Sequence, residues 1–200
     1  MQEEERQKIS ELVKSDLTKI KWKEEIRKIT EIIKNLNFTT ACFSGHRSFK
    51  LPWGNNEEDI RYKKVKIRLE KIVEKTIHEH YDTFLCGMAL GFDTMAAETV
   101  LSLKKKYPYI KLVGVLPCKN QDLKWSNRDK LRYRELLGQL DETRCLYDTY
   151  CGVKCMIDRD RYMVNNSSLL IALYDGIPGG TRATIEYAEK QGLEIKIIKP

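Results

Sequence analysis

From residue 38 onward the apolar positions fall into two alternating rhythms. Short runs at Thr39 to Ser44, Thr83 to Cys86, Ile110 to Leu116, Arg144 to Tyr147, Leu169 to Leu173 and Glu194 to Ile198 have the length and bounding turns of strands. Between them, stretches near residues 57 to 80, 92 to 106, 122 to 138, 156 to 166 and 180 to 191 carry apolar residues at helical spacing. Strand and helix in alternation, with few hairpin signals, predict an α/β, Rossmann-like fold: a mostly parallel sheet with helices on both faces. Sheets of that kind bind ligands outside the carboxyl ends of their strands, so the strand ends are where chemistry is to be sought.

Residues 1–37 follow another rule. They contain no glycine or proline, and Ile9, Leu12, Val13, Leu17 and Ile20, then Ile26, Ile29, Ile32, Ile33 and Leu36, recur at helical spacing. This predicts an N-terminal helical arm over 1–37 ahead of one domain over 38–200. The two apolar stripes of the arm predict a homo-oligomer.

Composition, 42% hydrophobic and 32% charged, is that of an ordinary folded protein, and the net charge of +7 invites a polyanion as partner. The surplus is spread thinly, with 9 basic against 8 acidic groups over 1–37 and 9 against 6 over 38–80. Arg61, Lys64, Arg68, Lys71 and Lys75 line one face of a helix beside Tyr62, Val65, Leu69 and Ile72. That pattern is the wet side of an amphipathic helix, with nucleic-acid contact as the alternative. Diffuse charge and the lack of an evident aromatic stacking platform disfavour nucleic acid as a partner. No apolar run approaches the ~18 residues of a membrane span, and MQEEERQKIS is too polar for a signal peptide, so a cytoplasmic protein with no membrane contact is expected.

Four of the six cysteines sit in or beside apolar segments, where a reduced thiol behaves as a small hydrophobe, and all six are expected to be free thiols. Cys151 and Cys155 alone are close in sequence, a poor zinc spacing, and His78 and His80 point different ways on a helix; no metal site is expected.

Three glycine-bearing turns fall at predicted strand ends: Ser44-Gly45-His46-Arg47, Gly87-Met88-Ala89-Leu90-Gly91-Phe92-Asp93, and Asp175-Gly176-Ile177-Pro178-Gly179-Gly180-Thr181. Glycine lets the backbone approach a ligand, and a helix that follows offers its unpaired N–H groups to an anion. Gly179, Gly180 and Thr181 open a helix in this way. His46 is placed to donate a hydrogen bond or exchange a proton, and Asp93 to cap a helix or accept from a ribose hydroxyl. Arg159 and Arg161, among aspartates, can form an internal ion-pair cluster or deliver a guanidinium to a phosphate. Neither a G-x-x-x-x-G-K-[ST] nor a G-x-G-x-x-G motif occurs, so no nucleotide cofactor of the common kinds is expected.

Taken together these blocks resemble the YpsA family of the SLOG superfamily, the Rossmann-like group that includes the DNA-processing Smf/DprA proteins and the LOG hydrolases. The resemblance covers residues 39 to 198. It rests on the three turns, on Ala97-Glu98, Pro117, Trp125, Tyr133 and Arg134-Glu135-Leu136-Leu137, and on Cys155-Met156, Arg159 and Arg161-Tyr162-Met163-Val164. It implies a domain that binds a nucleotide or nucleotide-derived molecule, such as one of the ADP-ribose kind. With the turns, it marks Ser44, Gly45, His46, Arg47, Gly87, Met88, Ala89, Gly91, Asp93, Pro117, Arg159, Gly179, Gly180, Thr181 and Thr184 as ligand-binding.

Three functions are compatible with this pattern. The first is a sensor or sequestering protein that holds such a ligand intact. The second, implied by the LOG branch, is an N-glycosidic hydrolase of nucleoside monophosphates with Arg159 and Glu186 as the catalytic pair, spaced from Met163 and Pro178 as in those enzymes. Arg182-Ala183 departs from the hydrolase pattern at the Gly-Thr position, which favours binding over cleavage. The third, by analogy with the DprA branch, is single-stranded DNA binding through the basic helix stripe.

Overall fold

A computed structural model describes residues 21–25, 28 and 39–200. The stretch 21–25 is helical; the rest of the expected arm, and with it the expected oligomer contact, lies outside the described residues. Residues 39–200 belong to a compact unit of their own, Phe38–Pro200.

Each strand of this unit sends alternate side chains to opposite faces, and in the central strands both faces are apolar. In β1 (Thr40–Gly45) Ala41 and Phe43 enter one core and Cys42 the other, while in β5 (Leu169–Leu173) residues 169, 171 and 173 divide from 170 and 172 in the same way. A strand buried on both sides belongs to a parallel sheet sandwiched by helices. β2 (Thr83–Cys86), β3 (Lys111–Leu116), β4 (Glu142–Cys145) and β6 (Glu194–Ile198) complete it, in the order β4-β3-β2-β1-β5-β6 with every pairing parallel.

Helices α1 (Ile60–His78), α2 (Phe92–Lys104) and α3 (Asn127–Leu137) bury residues in the larger core. Helices α4 (Val153–Asn165) and α5 (Gly180–Gln191) supply Met163, Val164, Ile185 and Ala188 to the core on the opposite face. α1 and α3 begin on side-chain caps: the Asp59 carboxylate accepts from the Arg61 N–H at 2.8 Å, and Ser126 Oγ from the Asp129 N–H at 3.2 Å. The helices α2, α4 and α5 begin on Gly91, Gly152 and Gly179, with no side-chain cap.

The expected Rossmann-like architecture is therefore present. β4 sits two residues earlier than its sequence suggested, because this edge strand is exposed throughout and its residues Glu-Thr-Arg-Cys carry no apolar alternation. From β1 the chain steps outward to β4, then crosses back to place β5 on the other side of β1. That reversal opens a crevice beyond the carboxyl ends of β1 and β5, the switch point at which such sheets take ligands.

Candidate functional site

The crevice at the switch point encloses a cavity of about 220 Å³. Ser44, Gly45, His46 and Arg47 line it from the end of β1, Ala89 from the turn after β2, Asp93 from the start of α2, Arg159 and Asp160 from α4, and Gly180 and Thr181 from the start of α5. Phe49 and Lys50, on the 3-10 turn Ser48–Lys50, form part of its wall.

Its floor is a buried charge cluster. Arg159, 5% exposed, donates from Nη1 to the Gly87 carbonyl at 2.6 Å and from Nε to Asp160 at 2.7 Å, and lies 3.7 Å from Asp93. Burial alone would lower the pKa of this guanidinium, but Asp160 and Asp93 more than offset that, so the net shift is upward. Asp93 is also buried, and burial raises its pKa against the pull of Arg159 and Arg47 and of the Ala89 N–H it accepts at 3.2 Å. Burial lowers the pKa of Arg47, with Asp93 and Arg159 acting on it in opposite directions. Unlike Arg159, Arg47 closes no side-chain hydrogen bond or ion pair among the described residues. Lys50 likewise has no ion-pair partner there, and its Nζ lies 3.3 Å from where a Cβ on Gly179 would stand.

The two glycine turns of β1 and β2 serve packing. A Cβ on Gly45 would stand 2.4 Å from Phe92, and one on Gly87 1.9 Å from Arg159 Nη1. Gly91 has φ +98° and presses against His46 O and Ser48 N, each 2.6 Å from a Cβ built there. Gly180 differs, since nothing lies within 4 Å of its Cβ position. The first N–H groups of α5 have no intrahelical partner, no side chain caps them, and no acidic residue stands in the first turn.

The remaining expected site residues scatter in role. His46 is buried and pairs through Nε2 with Asp175 Oδ1 at 2.8 Å, joining the ends of β1 and β5. Met88, at φ +53°, turns its side chain into the core and its carbonyl toward Gln121 Nε2. Pro117 is buried behind β3 and does not reach the cavity. Thr184 Oγ donates to Gly180 O at 3.0 Å and so steadies the first turn of α5.

Glu186 is exposed, accepts from Arg182 Nε at 2.7 Å, and is absent from the cavity wall, so the structure does not bring it together with Arg159. Arg161 lies over the Tyr187 ring, 5.4 Å from its centroid. Phe49 and Lys50 line the cavity without having been singled out from sequence, and Met156, noted there only as part of the family pattern, lines it too. The cation-x-aromatic-cation run of Arg47, Ser48, Phe49 and Lys50 was the available signal.

Arginine, lysine, a bare helix N-terminus and an open glycine converge on one small space, an arrangement suited to holding an anion. The two carboxylates that reach the cavity are engaged, Asp93 by Ala89 and Asp160 by Arg159. Among the described residues no cluster of His, Cys, Asp and Glu could hold a metal ion, and no helix is long and apolar enough to cross a membrane.

The family model YpsA, described as the YspA SLOG family, matches residues 41–200. The chain belongs to this family. YpsA-family membership thus covers nearly the whole of the described domain. Among its relatives, the SPbeta prophage-derived protein YoqJ of Bacillus subtilis is 37% identical over 139 residues, 64% of this chain and 81% of that protein. A UPF0398 protein of Brevibacillus brevis is 31% identical over 121 residues, 60% of this chain and 64% of that one.

Among solved structures, DNA processing protein A (DprA) from Streptococcus pneumoniae aligns with TM-score 0.56 at 17% identity, over 81% of this chain and 50% of that one. DprA from Helicobacter pylori, solved for its single-stranded DNA binding mode, aligns with TM-score 0.55 at 15% identity, over 82% of this chain and 66% of that one. At these identities the similarity speaks for the fold. It nevertheless corrects the expectation that disfavoured nucleic acid as a partner: a neighbour in this fold binds single strands, so diffuse surface charge is no ground for setting nucleic acid aside.

Proposed function

We propose that the protein binds a phosphate-bearing nucleotide or nucleotide-derived molecule in the switch-point crevice and holds it intact, as a sensor or sequestering protein. The observation that carries this reading is the Arg47 guanidinium, which closes no hydrogen bond or ion pair among the described residues, at a cavity lined also by the uncapped N-terminus of α5. A phosphate there meets a planar cation on one side and free N–H groups on the other. Arg159 braces the floor, and among the described residues the carboxylates that reach the cavity, Asp93 and Asp160, are both engaged, which favours holding the ligand over cleaving it.

Single-stranded DNA is the second reading, favoured by what the H. pylori neighbour binds. Isothermal titration with ribose 5-phosphate, AMP and ADP-ribose tests the first. Losing one charge-assisted hydrogen-bonding group costs about 1.5–3 kcal/mol, so Arg47→Ala is expected to weaken binding about 10- to 150-fold. Unchanged affinity in that variant, with folding verified by its unfolding temperature, would refute the assignment. Release of free base from AMP by the wild type would refute intact holding.

A further inference from the structure

We propose that Phe49 is the base-stacking residue of this crevice and that the ligand therefore carries an unpaired nucleobase, an inference that rests on the phosphate site described above. A lone exposed apolar side chain needs no explanation in general. Phe49 differs in three respects.

It is 80% exposed, the most exposed large hydrophobic side chain among the described residues, yet its backbone is pinned. The turn closes with Lys50 N–H on Arg47 O at 2.9 Å and Leu51 N–H on Ser48 O at 3.0 Å, and the buried Leu51 and Trp53 follow directly. The ring is thus presented from a fixed base.

Its position also matters, because Phe49 is among the residues that line the cavity and stands in the chain between two cationic residues that line it too, Arg47 and Lys50. Trp53 and Trp125, by contrast, pack against the core: Trp53 meets Tyr62 edge-on at 6.2 Å, and Trp125 meets Tyr133 at 5.1 Å. Phe49 contacts no other ring among the described residues.

The size of the cavity supplies the third argument. About 220 Å³ is below the ~300–1,000 Å³ of pockets that swallow a drug-sized ligand whole. A sugar phosphate fits inside, and the remainder of a nucleotide must lie over the rim, where the ring stands. Stacking on a phenyl face reads no particular base, so the site is expected to tolerate all four.

The same chemistry is offered by a free nucleotide and by a single strand. The test compares wild type, Phe49→Ala and Phe49→Trp for binding to AMP, ribose 5-phosphate, dTMP, oligo-dT and a duplex of the same length. Stacking is worth about 5- to 150-fold per base, so Phe49→Ala should lose that much for AMP while ribose 5-phosphate stays within about twofold. Phe49→Trp should retain AMP affinity and show tryptophan quenching by AMP but not by ribose 5-phosphate.

Oligo-dT bound far more tightly than dTMP and than duplex, with the same sensitivity to Phe49→Ala, identifies a strand as the source; equal affinities per nucleotide identify a free nucleotide. Equal losses for AMP and ribose 5-phosphate, or none for AMP, overturn stacking. If Arg47→Ala abolishes ribose 5-phosphate binding while Phe49→Ala leaves AMP untouched, stacking falls and the phosphate site stands. If the wild type binds none of the probes, both fall.

Discussion

Substituting Gly87 by alanine tests whether the floor of the crevice is built around Arg159. The added Cβ would stand 1.9 Å from Arg159 Nη1, 2.6 Å from Cζ and 2.8 Å from Asp93 Oδ2. Since φ at Gly87 is not in the left-handed region, alanine meets no backbone penalty, and the whole effect comes from displacing the guanidinium. Displacement breaks the 2.6 Å bond to Gly87 O and disturbs the pair with Asp160, leaving Asp93 buried with less compensation. Breaking a buried pair in this way costs about 3–5 kcal/mol. For a domain of this size each kcal/mol lowers the melting temperature by about 2–4 °C, so a fall of about 6–20 °C is expected. Thermal and urea unfolding monitored by circular dichroism measure it. In an Arg159→Met background most of the cost should disappear, since the seat is then empty of charge. A melting temperature within about 2 °C of wild type, on the same scale of ~2–4 °C per kcal/mol, would refute the argument.

The Asp59 carboxylate, bonded by the Arg61 side chain and then by its backbone N–H, has its pKa lowered from 3.8 to about 2. Its folded pKa is depressed, so its contribution to stability is present above pH 3.8 and is lost as pH falls through about 2. Asp59→Asn keeps a capping side chain and removes the charge; its stability deficit relative to wild type should narrow over that window, and a constant deficit would contradict the assignment. Cys145 and Cys151 are exposed, whereas Cys42, Cys86, Cys118 and Cys155 are buried, with burial pushing the Cys42 thiol up to about 12. A thiol reagent at neutral pH should therefore label those two in the folded protein and all six after unfolding; early labelling of Cys42 would contradict the packing of β1.

The strands and helices were legible because a sheet buried on both faces writes its core into short apolar runs, as Leu169–Leu173 shows with five buried residues in sequence. β4 was read two residues late, since an exposed edge leaves no such trace to fix its bounds. At the site, the strand-end turns could be located but their roles could not. Gly45 and Gly87 read locally as places for a ligand to approach; what fills those spaces, Phe92 and Arg159, is 47 and 72 residues away, and no local pattern reports it. Arg159 and Glu186 each keep the hydrolase spacing in sequence, yet α5 turns Glu186 to the solvent, where Arg182 one turn earlier holds it. Phe49 was passed over because its meaning lies in being uncovered beside two cations, a property of the surface rather than of the pattern.

The bare start of α5 bears on the charge of the whole protein. Counting side chains gives +7, and that figure is what electrophoresis or a pH titration would follow. A helix N-terminus carries roughly half a positive charge that belongs to no side chain and does not titrate. At α2 it is answered from within by Asp93 in the first turn, but the first turn of α5 holds no acidic residue and its N-cap Gly179 offers no side chain. An approaching anion therefore meets a positive potential that neutralising the surface lysines one by one would not remove.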